Sequence, residues 1–110
     1  MKLTLYGLKT CDSCRKALTS LAAAGHEVTF IDIRAEAPLE QCVPLWLDAV
    51  GADALINRRS TSWRALSEEE RQTSPADLLL RHPTLIKRPV IDAGGQVSVG
   101  WTKTTEATLT

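Results

Sequence analysis

Cys11-Asp12-Ser13-Cys14 sets two thiols three residues apart where an apolar segment, Lys2-Leu3-Thr4-Leu5-Tyr6, gives way to a helix-forming one. Sulfur nucleophiles react as thiolates. The unpaired N–H groups and the positive dipole end of a helix N-terminus stabilise that ion. Cys11 is therefore a candidate nucleophile towards disulfides, oxidised sulfur or oxyanions. Cys14 shares its helix face and is a candidate resolving thiol, able to displace a mixed disulfide by closing a Cys11–Cys14 bond. The competing reading for Cys14 is core, because the same position opens the apolar stripe of the helix. Lys9, Arg15 and Lys16 favour the thiolate, whereas Asp12 suits the helix dipole but opposes a neighbouring negative sulfur. A Cys-x-x-Cys pair is also half of many zinc sites. Here Cys42 stands alone and neither His26 nor His82 has ligand spacing to it, so the second half is missing. Both histidines read as structural or surface residues.

These thiols need a strand, a turn and a helix to present them. Leu3 to Tyr6 has the composition of a buried strand, and Cys14, Ala17, Leu18, Leu21 and Ala22 recur on one helix face. Gly25 is a helix stop, and Val28-Thr29-Phe30-Ile31-Asp32-Ile33 reads as a second buried strand. The result is a βαβ unit with parallel strands and a right-handed crossover. It puts the N-terminus of the helix at the carboxyl end of the first strand, where α/β sheets usually host chemistry.

The middle of the chain is helical in pattern. Cys42, Leu45, Trp46, Ala49 and Val50 share a spacing that assigns them to one apolar face, with Cys42 as core and Gly51 as the stop. Pro44 either begins that helix or kinks one started at Pro38. Asn57 to Ser62 reads as a polar loop, Ser67-Glu68-Glu69-Glu70 as a capping box, and Ser74-Pro75 as the start of another helix. Val90 to Asp92 and Val97 to Val99 flank Ala93-Gly94-Gly95-Gln96 and predict a hairpin. A short helix is expected over the last ten residues. This order predicts an α/β, thioredoxin-like fold, with a mixed four-stranded sheet and a helical insertion over about 38–83 between the βαβ unit and the C-terminal hairpin. The whole of 1–110 is expected to be one domain.

Composition narrows the function. Thirteen basic and 13 acidic residues cancel to a formal net charge of +0, which gives no general affinity for nucleic acid or an anionic membrane. An odd three cysteines argue against a disulfide scaffold, and the first residues run straight into a strand without an apolar leader, so a cytoplasmic location is expected.

Three blocks carry a resemblance to a known family. They are Tyr6-Gly7-Leu8-Lys9-Thr10-Cys11 with Arg15-Lys16-Ala17, Leu55-Ile56-Asn57-Arg58-Arg59-Ser60-Thr61-Ser62-Trp63-Arg64, and His82-Pro83-Thr84-Leu85-Ile86-Lys87-Arg88-Pro89-Val90. In this order the chain resembles the arsenate reductase ArsC/Spx family, in its small YffB-like branch. The resemblance implies a thioredoxin-like domain with Cys11 as nucleophile and a cis Arg88–Pro89 bond facing the nucleophile loop. It also makes Arg88 an active-site cation: a guanidinium beside Cys11 lowers the thiol pKa and can fork onto an oxyanion or carboxylate. Lys9, Thr10, Asn57, Arg58, Arg59 and Pro89 are the implied substrate-binding positions.

The departures matter as much. Glutaredoxin-coupled arsenate reductases use three arginines around the oxyanion. Here only Arg88 has a clear counterpart, with Asn57 at the first position and Gly100-Trp101 near the third. Each missing charge-assisted contact costs on the order of 1.5 to 3 kcal/mol, so efficient arsenate reduction is not expected. Cys14, by contrast, supplies the internal resolving thiol found in Spx-type redox sensors. The implied activity is thiol–disulfide oxidoreduction without a bound cofactor or metal. Glutathione is the implied co-substrate, and glutathione, glutaredoxin or thioredoxin the electron source. The alternative is an Spx-like regulator that docks on RNA polymerase, without direct nucleic-acid or membrane binding, according to the state of the Cys11–Cys14 pair.

Overall fold

In the computed structural model, which describes residues 2–110, the chain divides into two compact units. One is built from both ends of the chain, up to Ala37 and from Arg88 onward, and the other from the continuous segment Pro38–Lys87.

The first unit begins with strand β1 (Lys2–Gly7), helix α1 (Asp12–Ala23) and strand β2 (Glu27–Asp32). β1 and β2 pair in parallel from Lys2↔Glu27 to Gly7↔Asp32, as the βαβ reading requires. The unit resumes with Arg88 and with a hairpin whose strands, β3 (Val90–Ala93) and β4 (Gln96–Val99), turn through Gly94 and Gly95, both at positive φ. β3 runs antiparallel to β1 on its other side, giving a mixed sheet in the order β2-β1-β3-β4.

Along β1 the residues Leu3, Leu5 and Gly7 alternate inward. On α1 the buried positions Cys14, Ala17 and Leu21 follow the helical period that the sequence shows. With Ile91 and Ala93 of β3 they form the core, and Leu18, Val28, Phe30 and Trp101 pack on its edge. The expected terminal helix is the last one, Lys103–Leu109. Its N-cap Thr102 accepts the Thr105 N–H, and two side chains tie the helix back: Ser20 donates to Glu106 at 2.9 Å and His26 Nε2 meets the Leu109 carbonyl at 2.6 Å.

The second unit opens with α2 (Leu39–Val50), which starts after Pro38 and carries Pro44 in its interior. Its buried face is Cys42, Val43 and Trp46. Leu45 is 67% exposed and Ala49 is exposed too, which corrects the expected face. The i, i+3, i+4 count from Cys42 widens the face towards Leu45 and Ala49 and passes over Val43 on its other side. Gly51, at φ 83°, ends α2 and starts the short α3 (Ala52–Leu55). α4 (Thr61–Arg64) takes up the end of the expected polar loop, Thr61 and Ser62, and runs on to Arg64, with Ser60 as its N-cap.

The predicted capping box opens α5 (Glu68–Arg71): Ser67 and Glu70 exchange backbone hydrogen bonds at 3.1 and 3.0 Å. α6 (Pro75–Arg81) follows Ser74 with proline in its first turn, and a single 3₁₀ turn covers Pro83–Leu85. Leu78 and Leu79 of α6 bury their side chains in this unit, where α6 packs on α2.

Candidate active site

β1 delivers the chain to the site. After Gly7 the backbone turns, with the Cys11 N–H donating to the Leu8 carbonyl at 3.0 Å. Cys11 then takes an extended conformation as the N-cap of α1, and its carbonyl accepts the Arg15 N–H at 3.1 Å as an early bond of the helix. Cys11 is half-buried, whereas Cys14, at the third helical position, is fully buried. Arg88 reaches Cys11 from the other end of the sequence, through a cis peptide bond to buried Pro89, whose carbonyl accepts the Gly100 N–H at 2.8 Å. The expected cis bond is therefore present.

The two thiols are driven apart. Burial works against ionising Cys11, but the Cys14 backbone N–H, the Cys14 thiol and the Arg88 guanidinium together outweigh it and hold the Cys11 thiol below its ordinary value. Burial also acts on Cys14, and the adjacent Cys11 reinforces it. A hydrogen bond from the Leu8 backbone and the charge of Arg88 oppose them and lose, so Cys14 is pushed up to about 11. Cys11 ionises first and Cys14 keeps its proton. Cys14 lies in the core cluster and against Cys11. Asp12, expected to oppose the thiolate, is held by Arg15 at 2.5 Å in an exposed ion pair. Arg88 acts on Cys11 both by hydrogen bond and by charge. Lys9 and Thr10 are exposed in the turn before Cys11, and Trp101 packs on the edge of the core.

Asn57, Arg58 and Arg59 belong to the second unit. Two antiparallel backbone bonds frame them, Asn57 N–H to the Leu85 carbonyl and Lys87 N–H to the Leu55 carbonyl, each 2.8 Å, around the Ile56↔Ile86 bridge. With Asp53, Ile56 and Lys87 these residues line a polar depression of about 560 Å³. Arg58 is paired with Asp53 at 3.1 Å and lies over the Trp63 ring at 5.5 Å, and Asn57 Oδ1 accepts the Arg59 N–H. In the same unit His82 meets Glu70 at 3.3 Å. Among the described residues no group of three or more His, Cys, Asp or Glu is placed to hold a metal, and no helix is long and apolar enough to cross a membrane.

A cysteine at the N-terminus of the first helix with a second cysteine against it, beside a cis-proline loop on a mixed four-stranded sheet, defines a thioredoxin-like fold. Within that class, residues 6–107 match the ArsC family, and the chain belongs to it. The solved structure of a YFFB protein superposes with a TM-score of 0.89 at 31% identity, covering 97% of both chains. An arsenate reductase (ArsC) related protein from Brucella melitensis gives 0.78 at 32% identity, over 98% of this chain and 93% of that one. The global transcriptional regulator Spx of Bacillus subtilis is 29% identical over 111 aligned positions, covering 90% of this chain and 79% of the relative.

The partnership of Cys11 with Arg88 spans most of the chain and is reached only through the family resemblance, since no local pattern encodes it. The close approach of Cys14 to the end of β1 had one available signal, a glycine at a buried strand position.

Proposed function

We propose that the protein is a thiol–disulfide reductase that works through Cys11 and Cys14 with glutathione or a thioredoxin-type dithiol as reductant. The Cys11 thiolate attacks one sulfur of a substrate disulfide. A Cys11 mixed disulfide forms and the other half of the substrate leaves as a thiolate, which takes up a proton. Cys14 then gives up its proton and its sulfur attacks the Cys11 sulfur, releasing the second half of the substrate and closing the Cys11–Cys14 disulfide. The substrate has gained two electrons, and two equivalents of glutathione or one external dithiol restore the pair. Arg88 favours the attacking thiolate and can pair with an anionic group on the substrate. Lys9 and Thr10, in the turn before Cys11, are candidate substrate contacts.

The observation that carries this reading is the placement of Cys11 at the N-cap of α1 with Cys14 and the Arg88 guanidinium against it, which lowers the Cys11 thiol while burial raises that of Cys14. The ArsC-related neighbour supports a reductase of this kind. The second reading rests on the Spx relative. There the same thiol pair would set a surface for RNA polymerase without turnover.

Steady-state reduction of a small neutral disulfide, a glutathione mixed disulfide and arsenate, with glutathione or thioredoxin as donor, separates the readings. Turnover of the disulfides that disappears in Cys11→Ser, with arsenate reduced poorly, is the expected result. No turnover on any substrate, combined with reversible Cys11–Cys14 oxidation and polymerase capture by one redox form alone, would establish the regulator instead.

A further inference from the structure

Gly7 closes the inward-facing series Leu3, Leu5, Gly7 on β1, and it is buried. Its backbone is ordinary strand: it pairs with Asp32, its carbonyl accepts the Ile33 N–H at 2.9 Å, and it is absent from the glycines at positive φ. Torsion therefore does not require a glycine here. Space does. A Cβ built on Gly7 falls on the Cys14 sulfur, well inside van der Waals contact, and 3.3 Å from the Cys14 Cβ. The next atom, Leu5 Cδ2, is 3.4 Å away, at the edge of ordinary contact. The main obstacle is thus the sulfur atom of a buried core side chain, with the Cys14 Cβ a lesser one.

We propose that Gly7 is a positioning residue for the resolving thiol: the side chain it lacks leaves the space that the Cys14 sulfur occupies. The Leu8 backbone N–H, next in sequence, hydrogen-bonds that sulfur and completes a main-chain seat for it. Any side chain at position 7 evicts the sulfur from this seat and moves it off its line to Cys11. Displacements of this size in a reacting atom cost about 10- to 100-fold in rate. The proposal rests on Cys14 as the resolving thiol, and its test is arranged so that the two can fail separately.

The experiment reacts the reduced protein with excess dithiobis(nitrobenzoate), in a Cys42→Ala background so that only the pair reports. Attack by Cys11 releases a first equivalent of thionitrobenzoate, and resolution by Cys14 releases a second while the intramolecular disulfide forms. Gly7→Ala is expected to keep the first phase and slow the second by about 10- to 100-fold. Thermal melts of Gly7→Ala, Cys14→Ala and the double variant complete the cycle. Gly7→Ala should lower the melting temperature much more when the Cys14 sulfur is present than when it is absent, so the double variant should melt close to Cys14→Ala. A second phase at the wild-type rate in Gly7→Ala would overturn the proposal. So would an equal destabilisation with and without the sulfur. A wild type that releases a single equivalent would refute Cys14 as the resolving thiol, and with it the positioning role, whereas the melts would still report whether the sulfur is what excludes a side chain at position 7.

Discussion

At the scale of single residues, the site depends on a charge that arrives from far along the chain. The Arg88 guanidinium acts on the Cys11 sulfur by hydrogen bond and by charge, and it favours the ionised form. Removing it therefore moves the Cys11 titration upward and depletes the thiolate at neutral pH. Iodoacetamide alkylation of Arg88→Ala at neutral pH is expected to slow by roughly tenfold, the usual effect of losing a close opposite charge, with the pH–rate midpoint displaced to higher pH. Arg88→Lys should recover part of the rate, since a point charge remains while the fork does not. Cys11 and Cys14 are legible from the sequence because their chemistry depends on local spacing. Arg88 is legible only through the family resemblance, since a lone arginine before a proline carries no local mark of the sulfur it faces. Gly7 passes unnoticed for a related reason: what it touches lies seven residues on, across a turn.

The elements follow the sequence wherever periodicity and capping agree. β1, α1 and β2, the Ser67 capping box and the Gly94-Gly95 hairpin form where the pattern places them. α2 is the exception, because its apolar residues outnumber one face and tertiary packing selects Val43 over Leu45. Two short pieces, α3 and the 3₁₀ turn after His82, are too brief for a periodic signal. α2 also keeps Pro44 inside it, without the N–H that would reach the Glu40 carbonyl. That residue is exposed, so its cost is not offset by burial. Pro44→Ala is expected to stabilise the fold by about 1 to 3 kcal/mol, less a small loss of rigidity in the unfolded chain. Urea denaturation checks this as a higher midpoint at an unchanged slope.

Across the whole molecule, the thiol pair couples pH to stability in two senses. Cys14 is harder to ionise folded than unfolded, so its stabilising share is complete below the unfolded thiol value. That share falls as pH rises from roughly 8.5 through about 11. Cys11, easier to ionise when folded, stabilises the fold above the unfolded thiol value, and that share is lost as pH falls through its depressed value. Unfolding free energies measured across the alkaline range should therefore decline in wild type and decline less in Cys14→Ala. The division of the chain adds a consequence for how the molecule is made. Ribosomes issue the N-terminus first, and the unit that holds the dithiol is not complete until its last segment, from Arg88 onward, has emerged. β1 and β2 appear early, but β3, the other neighbour of β1, comes after the continuous insertion has been synthesised. Throughout that interval a nascent chain carries Cys11 and Cys14 without the guanidinium that tunes them. The two sulfurs take on their opposed ionisation only once Arg88 has emerged and folded beside them.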